Sequence, residues 1–272
     1  MRLFIADTDG EFRSFDDTID ERAHELTDRL GLEPAVRVQF PEPGDLPRNA
    51  HTWESSAAAG SADLSRLVRL HPSDPVMLIG ISSGCRVIHD WLDANPDQLD
   101  RVVAVGMIAD PYRPRDRWLP GQEDPGGQGV AGSRLGPIPD RTLWLSVPGD
   151  PVSGVEEDSL MRGVVRGSEL APVQVYDQLI EEMPESKVVF GTRLGLMARG
   201  QWSPPLSRRV DEAWELLRRH RDVDYVSVYT ESDGGPSPAL QLITGLVDLA
   251  SRHQHAGQGG GTEDDLACTP LR

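Results

Sequence analysis

The chain has 272 residues, 38% of them hydrophobic, and carries a formal net charge of −17 with a pI of about 4.7. That length suits one α/β domain with a sizeable core or two small domains, and 27 glycines and 22 prolines read as many loops around a moderate core. So acidic a surface repels nucleic acid and anionic lipid and argues against either as the main partner; two cysteines, Cys85 and Cys268, make neither a disulfide framework nor a metal cluster.

Taken in chain order, the sequence alternates strand and helix. "RLFIA" (Arg2–Ala6) is a short apolar strand ending in "DTDG", and "TIDERAHELTDRLGL" has helical spacing up to Gly31. "AVRVQF" (Ala35–Phe40) alternates and breaks at "PEPGDLP". Thr52–Leu70 is rich in helix formers, "PVMLIG" is a strand of the buried type, and "SGCRVIHDWLDANP" is a helix that stops before Pro96. "LDRVVAVGMIADP" and "RTLWLSVPGDPV" supply a fourth and a fifth strand. Strands separated by helices predict a mainly parallel five-stranded sheet with helices on both faces. From Ser159 to His220 the periodicity is helical, with "PVQVYDQLIEEMP", "SKVVFGTRLGLMARG" and "PPLSRRVDEAWELLRRH" as segments of a cap over the sheet's carboxyl edge. "DVDYVSVYTESDGG" reads as strand or loop and "PSPALQLITGLVDLASRH" as a last helix. The expected organisation is a core of residues 1–158 completed by 221–253, an inserted helical cap at 159–220, and a Gly-rich disordered tail at 254–272.

The segment with the clearest chemistry is "PVMLIGISSGCRVIHDWL", Pro75 to Leu92. A strand, a Gly-x-Ser-x-Gly turn and a helix form the elbow that exposes a nucleophilic serine above a sheet edge, and Ser82 holds the central position. Gly80 and Gly84 would keep side chains out of the turn, and the Ser83 N–H would face a developing oxyanion. A serine hydroxyl needs a base, and the base an orienting carboxylate, in the chain order serine, acid, histidine. Asp150, just after the fifth strand, falls at the same sheet edge as Ser82; a plain Gly-Asp-Pro turn is the alternative for it. Such chemistry needs no cofactor and no metal.

"LIGISSGCRVIHDWL", "GMIADPYRPRDRWLPG…GGQGVAG" and "IPDRTLWLSVPGDPVSG" together resemble the cutinase-like lysin B esterases of phages that infect mycolic-acid-containing actinobacteria. The resemblance runs from Met1 to about Ala250 and implies an α/β-hydrolase fold with a helical linker between the triad's acid and its histidine. It implies hydrolysis of the ester joining mycolic acids to arabinogalactan, with Ser82 as nucleophile and Asp150 as orienting acid. A lipid ester of the cell envelope would then be the partner molecule. The start of the chain lacks the long apolar region of a signal peptide, so synthesis in a host cytoplasm and action at the envelope after release is the expectation. Trp118, Trp202 and Trp214 could line the acyl cleft, although core or cap packing is the plainer account.

Two positions depart from that family. The first strand ends Ala6-Asp7-Thr8-Asp9-Gly10, where Thr8 can match the family's oxyanion-hole threonine but Asp7 replaces a glycine; carboxylates there would oppose a developing negative charge unless turned away. The family's histidine, three residues before a tyrosine matching Tyr225, falls here on Asp222. His220, two residues upstream, is the candidate base if the register shifts, and a solvated histidine at a helix C-terminus otherwise. His253 and His255 lie by the tail, His89 is more than a turn past the elbow, and His24, His51 and His71 precede the serine. Two functions therefore stand: a serine esterase using Ser82, His220 and Asp150 with Thr8 and Ser83 at the oxyanion, or a weak or inactive relative that binds envelope lipid or serves as a virion component.

Overall fold

The computed structural model describes residues 1–7, 33, 35–41, 52–134, 136, 138–182, 190–191, 206–232 and 234–258. Five strands, β1 (Arg2–Ala6), β2 (Val36–Arg37), β3 (Val76–Ile81), β4 (Val102–Ile108) and β5 (Thr142–Leu145), form one sheet in the order β2-β1-β3-β4-β5, every pair parallel. The side chains alternate between two cores. Leu3, Ile5, Met77, Ile79 and Ile81 face one cluster, while Phe4, Ala6, Val76 and Leu78 face the other. That is why β3 and β4 read as unbroken apolar runs: each is buried on both faces.

One face is covered by α1 (Trp53–Arg69) and α2 (Gly84–Ala94). Thr52 starts α1 by accepting a hydrogen bond from the Ser55 N–H at 3.1 Å. α2 ends at Asn95, ahead of Pro96, which opens a short 3-10 turn. Further helices are α3 (Leu160–Arg166), α4 (Pro172–Glu182), α5 (Leu206–Asp222), α6 (Tyr225–Thr230) and α7 (Pro238–Gln258). α7 covers the other face of the sheet, with Leu242, Ile243 and Leu246 in that core. Helices α3, α4 and α5 surround a third apolar cluster that includes Val164, Tyr176, Ala213 and Leu217.

Two elements differ from the sequence reading. Tyr225–Thr230 is a helix, not a strand or loop: the Asp224 side chain caps it by accepting from the Ser227 N–H, and Tyr229 turns fully inward. The last helix runs to Gln258, past His253. The expected helix near residues 18–32, most of "SKVVFGTRLGLMARG", and the tail from 259 lie outside the described residues. Among the described residues, no helix is long and apolar enough to cross a membrane.

Candidate active site

The site is built where β3 turns into α2. Ser82 sits there with φ at 50°, a left-handed conformation that costs an L-residue energy and persists only where its surroundings enforce it. Its N–H donates to the Ile108 carbonyl at 2.9 Å, and its carbonyl accepts from the Cys85 N–H at 3.1 Å. Ala109, at the end of the neighbouring strand, is also left-handed, at 49°. Both glycines of the motif are required by close approach. A Cβ on Gly84 would stand 2.0 Å from the Ala6 carbonyl oxygen, and one on Gly80 would stand 2.8 Å from the Cys85 Cα. The end of β1 is therefore pressed against the elbow.

Ser82, Ala109, Asp150, His220, Asp224 and Tyr229 share the walls of a cavity of about 270 Å³. Its apolar lining comes from Val152, Val173, Val223 and Val226. Trp118 and Trp214 are not among its walls; Trp214 packs edge-on against Phe190 at 4.9 Å. Trp202 lies outside the described residues.

Asp150 is a buried residue of the cavity wall. Its Oδ1 accepts from the N–H groups of Val152 at 2.6 Å and Ser153 at 3.1 Å, and its Oδ2 accepts from the Tyr229 hydroxyl. Burial, with the Asp150 charge next to it, holds the Tyr229 phenol well above its ordinary pKa, so it is a donor here and not a base. His220 lines the cavity, but its Nε2 pairs with Asp177 Oδ1 at 2.8 Å, and its ring lies 5.1 Å from that of Tyr176. The expected hydrogen-bond chain from Ser82 through His220 to Asp150 is thus not formed among the described residues. Asp222 is exposed, and the Arg221 guanidinium beside it holds its carboxyl below the usual range, which makes it no base.

Ser83 is the N-cap residue of α2, with its N–H at the start of the helix, where an oxyanion donor is expected. Thr8 lies outside the described residues. Asp7 is buried and pairs with Arg37 at 3.4 Å, which offsets the charge that would oppose an oxyanion. Cys85, next in line, is buried; burial pushes its thiol far up and keeps it protonated and inert.

Several residues that shape the site escaped the sequence reading. Trp53 opens α1, donates its Nε1–H to the Ser83 carbonyl at 3.4 Å and stacks on Tyr112 at 5.4 Å. His89 is a structural residue: its Nε2 lies 3.0 Å from the buried Asp110, which also accepts from Trp144 Nε1 at 3.0 Å. Arg113, fully buried, donates to the carbonyls of Ser153 at 2.8 Å, Arg117 at 2.9 Å and Gly127 at 3.1 Å, so "ADPYRP" braces the loop that carries Asp150. Among the described residues, no group of three His, Cys, Asp or Glu side chains is placed to hold a metal ion.

The parallel sheet, its order and the strand–elbow–helix unit with a left-handed serine define an α/β-hydrolase fold. No family model matches the chain, and no curated protein matches it. Solved structures similar to it include lysin B from Mycobacteriophage D29, at 16% identity over 91% of this chain and 97% of that one, with a TM-score of 0.45. A cutinase-like protein from Cryptococcus sp. is 19% identical over 57% of this chain and 79% of that one, with a TM-score of 0.37. An acetyl xylan esterase is 15% identical over 62% of this chain and 90% of its own, also with a TM-score of 0.37. Likenesses this distant leave the question of activity to the chain's own residues.

Proposed function

We propose that the chain is a serine ester hydrolase acting on esters with an apolar acyl part. The observation that carries this reading is Ser82, held left-handed at the β3–α2 turn and opening on a cavity that it shares with His220 and with Val152, Val173, Val223 and Val226. In this reading the Ser82 hydroxyl attacks the ester carbonyl while His220, the imidazole on the cavity wall, takes its proton. The Ser83 N–H and the end of β1 face the oxyanion, with Thr8 as the expected second donor. Water then releases the acyl group. The apolar walls favour an aliphatic acyl chain over a small polar one.

The finer assignment is hydrolysis of mycolic esters of arabinogalactan during phage-driven host lysis, with the protein acting at the envelope after release. Its support is the resemblance of the elbow, the "ADPYRP" stretch and the "GDPVSG" turn to the lysin B esterases. A second reading, a hydrolase fold retained to bind envelope lipid, draws on the Tyr229 hydroxyl that occupies Asp150.

Turnover of p-nitrophenyl butyrate and a longer-chain ester by the purified chain, beside Ser82→Ala, separates them. Ser82-dependent hydrolysis supports the enzyme, and release of free mycolic acids from isolated mycolyl-arabinogalactan supports the finer substrate. No turnover of either ester, with retention on mycolate-containing vesicles, supports the binder.

A further inference from the structure

Two carboxylates compete for the role of orienting His220, and the contacts separate them. Asp150 has its Oδ1 held by two backbone N–H groups and its Oδ2 by Tyr229, a side chain fully buried in the sheet's core. His220 is held from the other side, by consecutive residues of α4. Asp177 Oδ1 stands 2.8 Å from its Nε2, and the Tyr176 ring lies 5.1 Å from its own. Tyr176 is itself fixed: it is fully buried, and its hydroxyl donates to the Pro151 carbonyl at 2.8 Å, one residue past Asp150. The imidazole is thereby clamped by α4 to the wall of the cavity that Ser82 opens on.

We propose, resting on the reading of Ser82 as an ester nucleophile, that Asp177 is the positioning carboxylate of His220 and that Asp150 is a structural brace for its loop. With Nε2–H donated to Asp177, Nδ1 carries the lone pair. As the Ser82 Oγ–acyl carbon bond forms, the hydroxyl proton passes to Nδ1, and Asp177 stabilises the imidazolium. That proton goes to the alcohol oxygen as the ester C–O bond breaks. Water then attacks the acyl-enzyme, gives its proton to Nδ1, and Ser82 Oγ recovers a proton as the acyl–oxygen bond breaks. The Asp177 side chain is about half exposed, so water screens the pair and its effect is smaller than that of a buried triad acid.

The test uses the full chain with p-nitrophenyl butyrate and a double-mutant cycle. Asp177→Asn should lower kcat about tenfold with KM unchanged, and should cost nothing further in a His220→Ala background. Imidazole ¹⁵N spectra give a readout that needs no turnover: Asp177→Asn should shift the His220 ring signals, and Asp150→Asn should leave them in place. Ring signals that follow Asp150→Asn and ignore Asp177→Asn would overturn the proposal. So would an Asp177→Asn loss that persists in His220→Ala, or a His220→Ala variant with full kcat. A wild type with no Ser82-dependent turnover is a separate result, because it defeats the esterase reading whichever carboxylate the spectra pair with His220.

Discussion

Gly84 shows how one missing methyl group sets the geometry of the elbow. A Cβ there would stand 2.0 Å from the Ala6 carbonyl and 3.1 Å from the Asp7 nitrogen, both backbone atoms that cannot swing aside. Gly84→Ala must push β1 away from the turn, with an expected loss of about 2–3 kcal/mol in urea unfolding and a fall in any Ser82-dependent kcat. The Tyr229 hydroxyl donates to Asp150 Oδ2 and accepts from the Val147 N–H at 3.4 Å. Tyr229→Phe keeps the buried ring but leaves Asp150 Oδ2 without its hydroxyl donor, which should cost about 1–3 kcal/mol in the same measurement. A loss below a few tenths of a kcal/mol would mean that water replaces the phenol and that Asp150 is more accessible than its burial indicates.

At the scale of elements, the loop after β4 and the loop after β5 are joined by backbone bonds between Gln128 and Val155 and between Val130 and Val152, and by one buried guanidinium. Arg113 spends its donors on carbonyls of both: Pro114, Arg115, Arg117, Gly126 and Gly127 on one side, Ser153 on the other. A lysine offers three donors from one point and cannot span that ring of acceptors. Arg113→Lys should therefore destabilise by about 3 kcal/mol, and limited proteolysis should open the chain between residues 113 and 127 first. These elements also mark the limits of what the sequence could reveal. The five strands were legible because full apolar runs and period-two alternation are local signals, and Ser82 was legible because its glycines lie two residues to either side. Helix α6 was misread because Val226, Val228 and its tyrosines carry strand propensity; the Asp224 cap and the burial of Tyr229 override it. The pairings found around the candidate site span 79 residues from Asp150 to Tyr229 and 43 from Asp177 to His220, and no local pattern records them. Arg113 sits in a stretch whose distinctiveness was visible, while its bracing role was not.

For the whole molecule, the acidic balance has a consequence inside as well as on the surface. Glu212 on α5 lies partly buried among the helices of residues 160–222, and among the described residues its buried Oε2 has no hydrogen-bond partner. Burial raises its pKa from 4.5 to about 7; the Ser159 hydroxyl opposes the rise, the nearby Asp158 and Glu156 reinforce it, and Arg208 offsets part of it. In the unfolded chain this carboxyl ionises near the ordinary value. Between about 4.5 and about 7 the folded protein therefore keeps a proton that the unfolded chain has lost. The unfolded state binds fewer protons across that window, so stability falls as pH rises through it. Self-repulsion from a net charge of −17 acts in the same direction, and a single pH curve cannot divide the two. Glu212→Gln does divide them, because it removes one titration and leaves the rest of the surface almost unchanged. Urea unfolding of both proteins should give equal stability near pH 4, with the variant ahead by about 2–3 kcal/mol at pH 8. Parallel curves across the whole range would place the slope in the surface charge and leave Glu212 ionised at little cost.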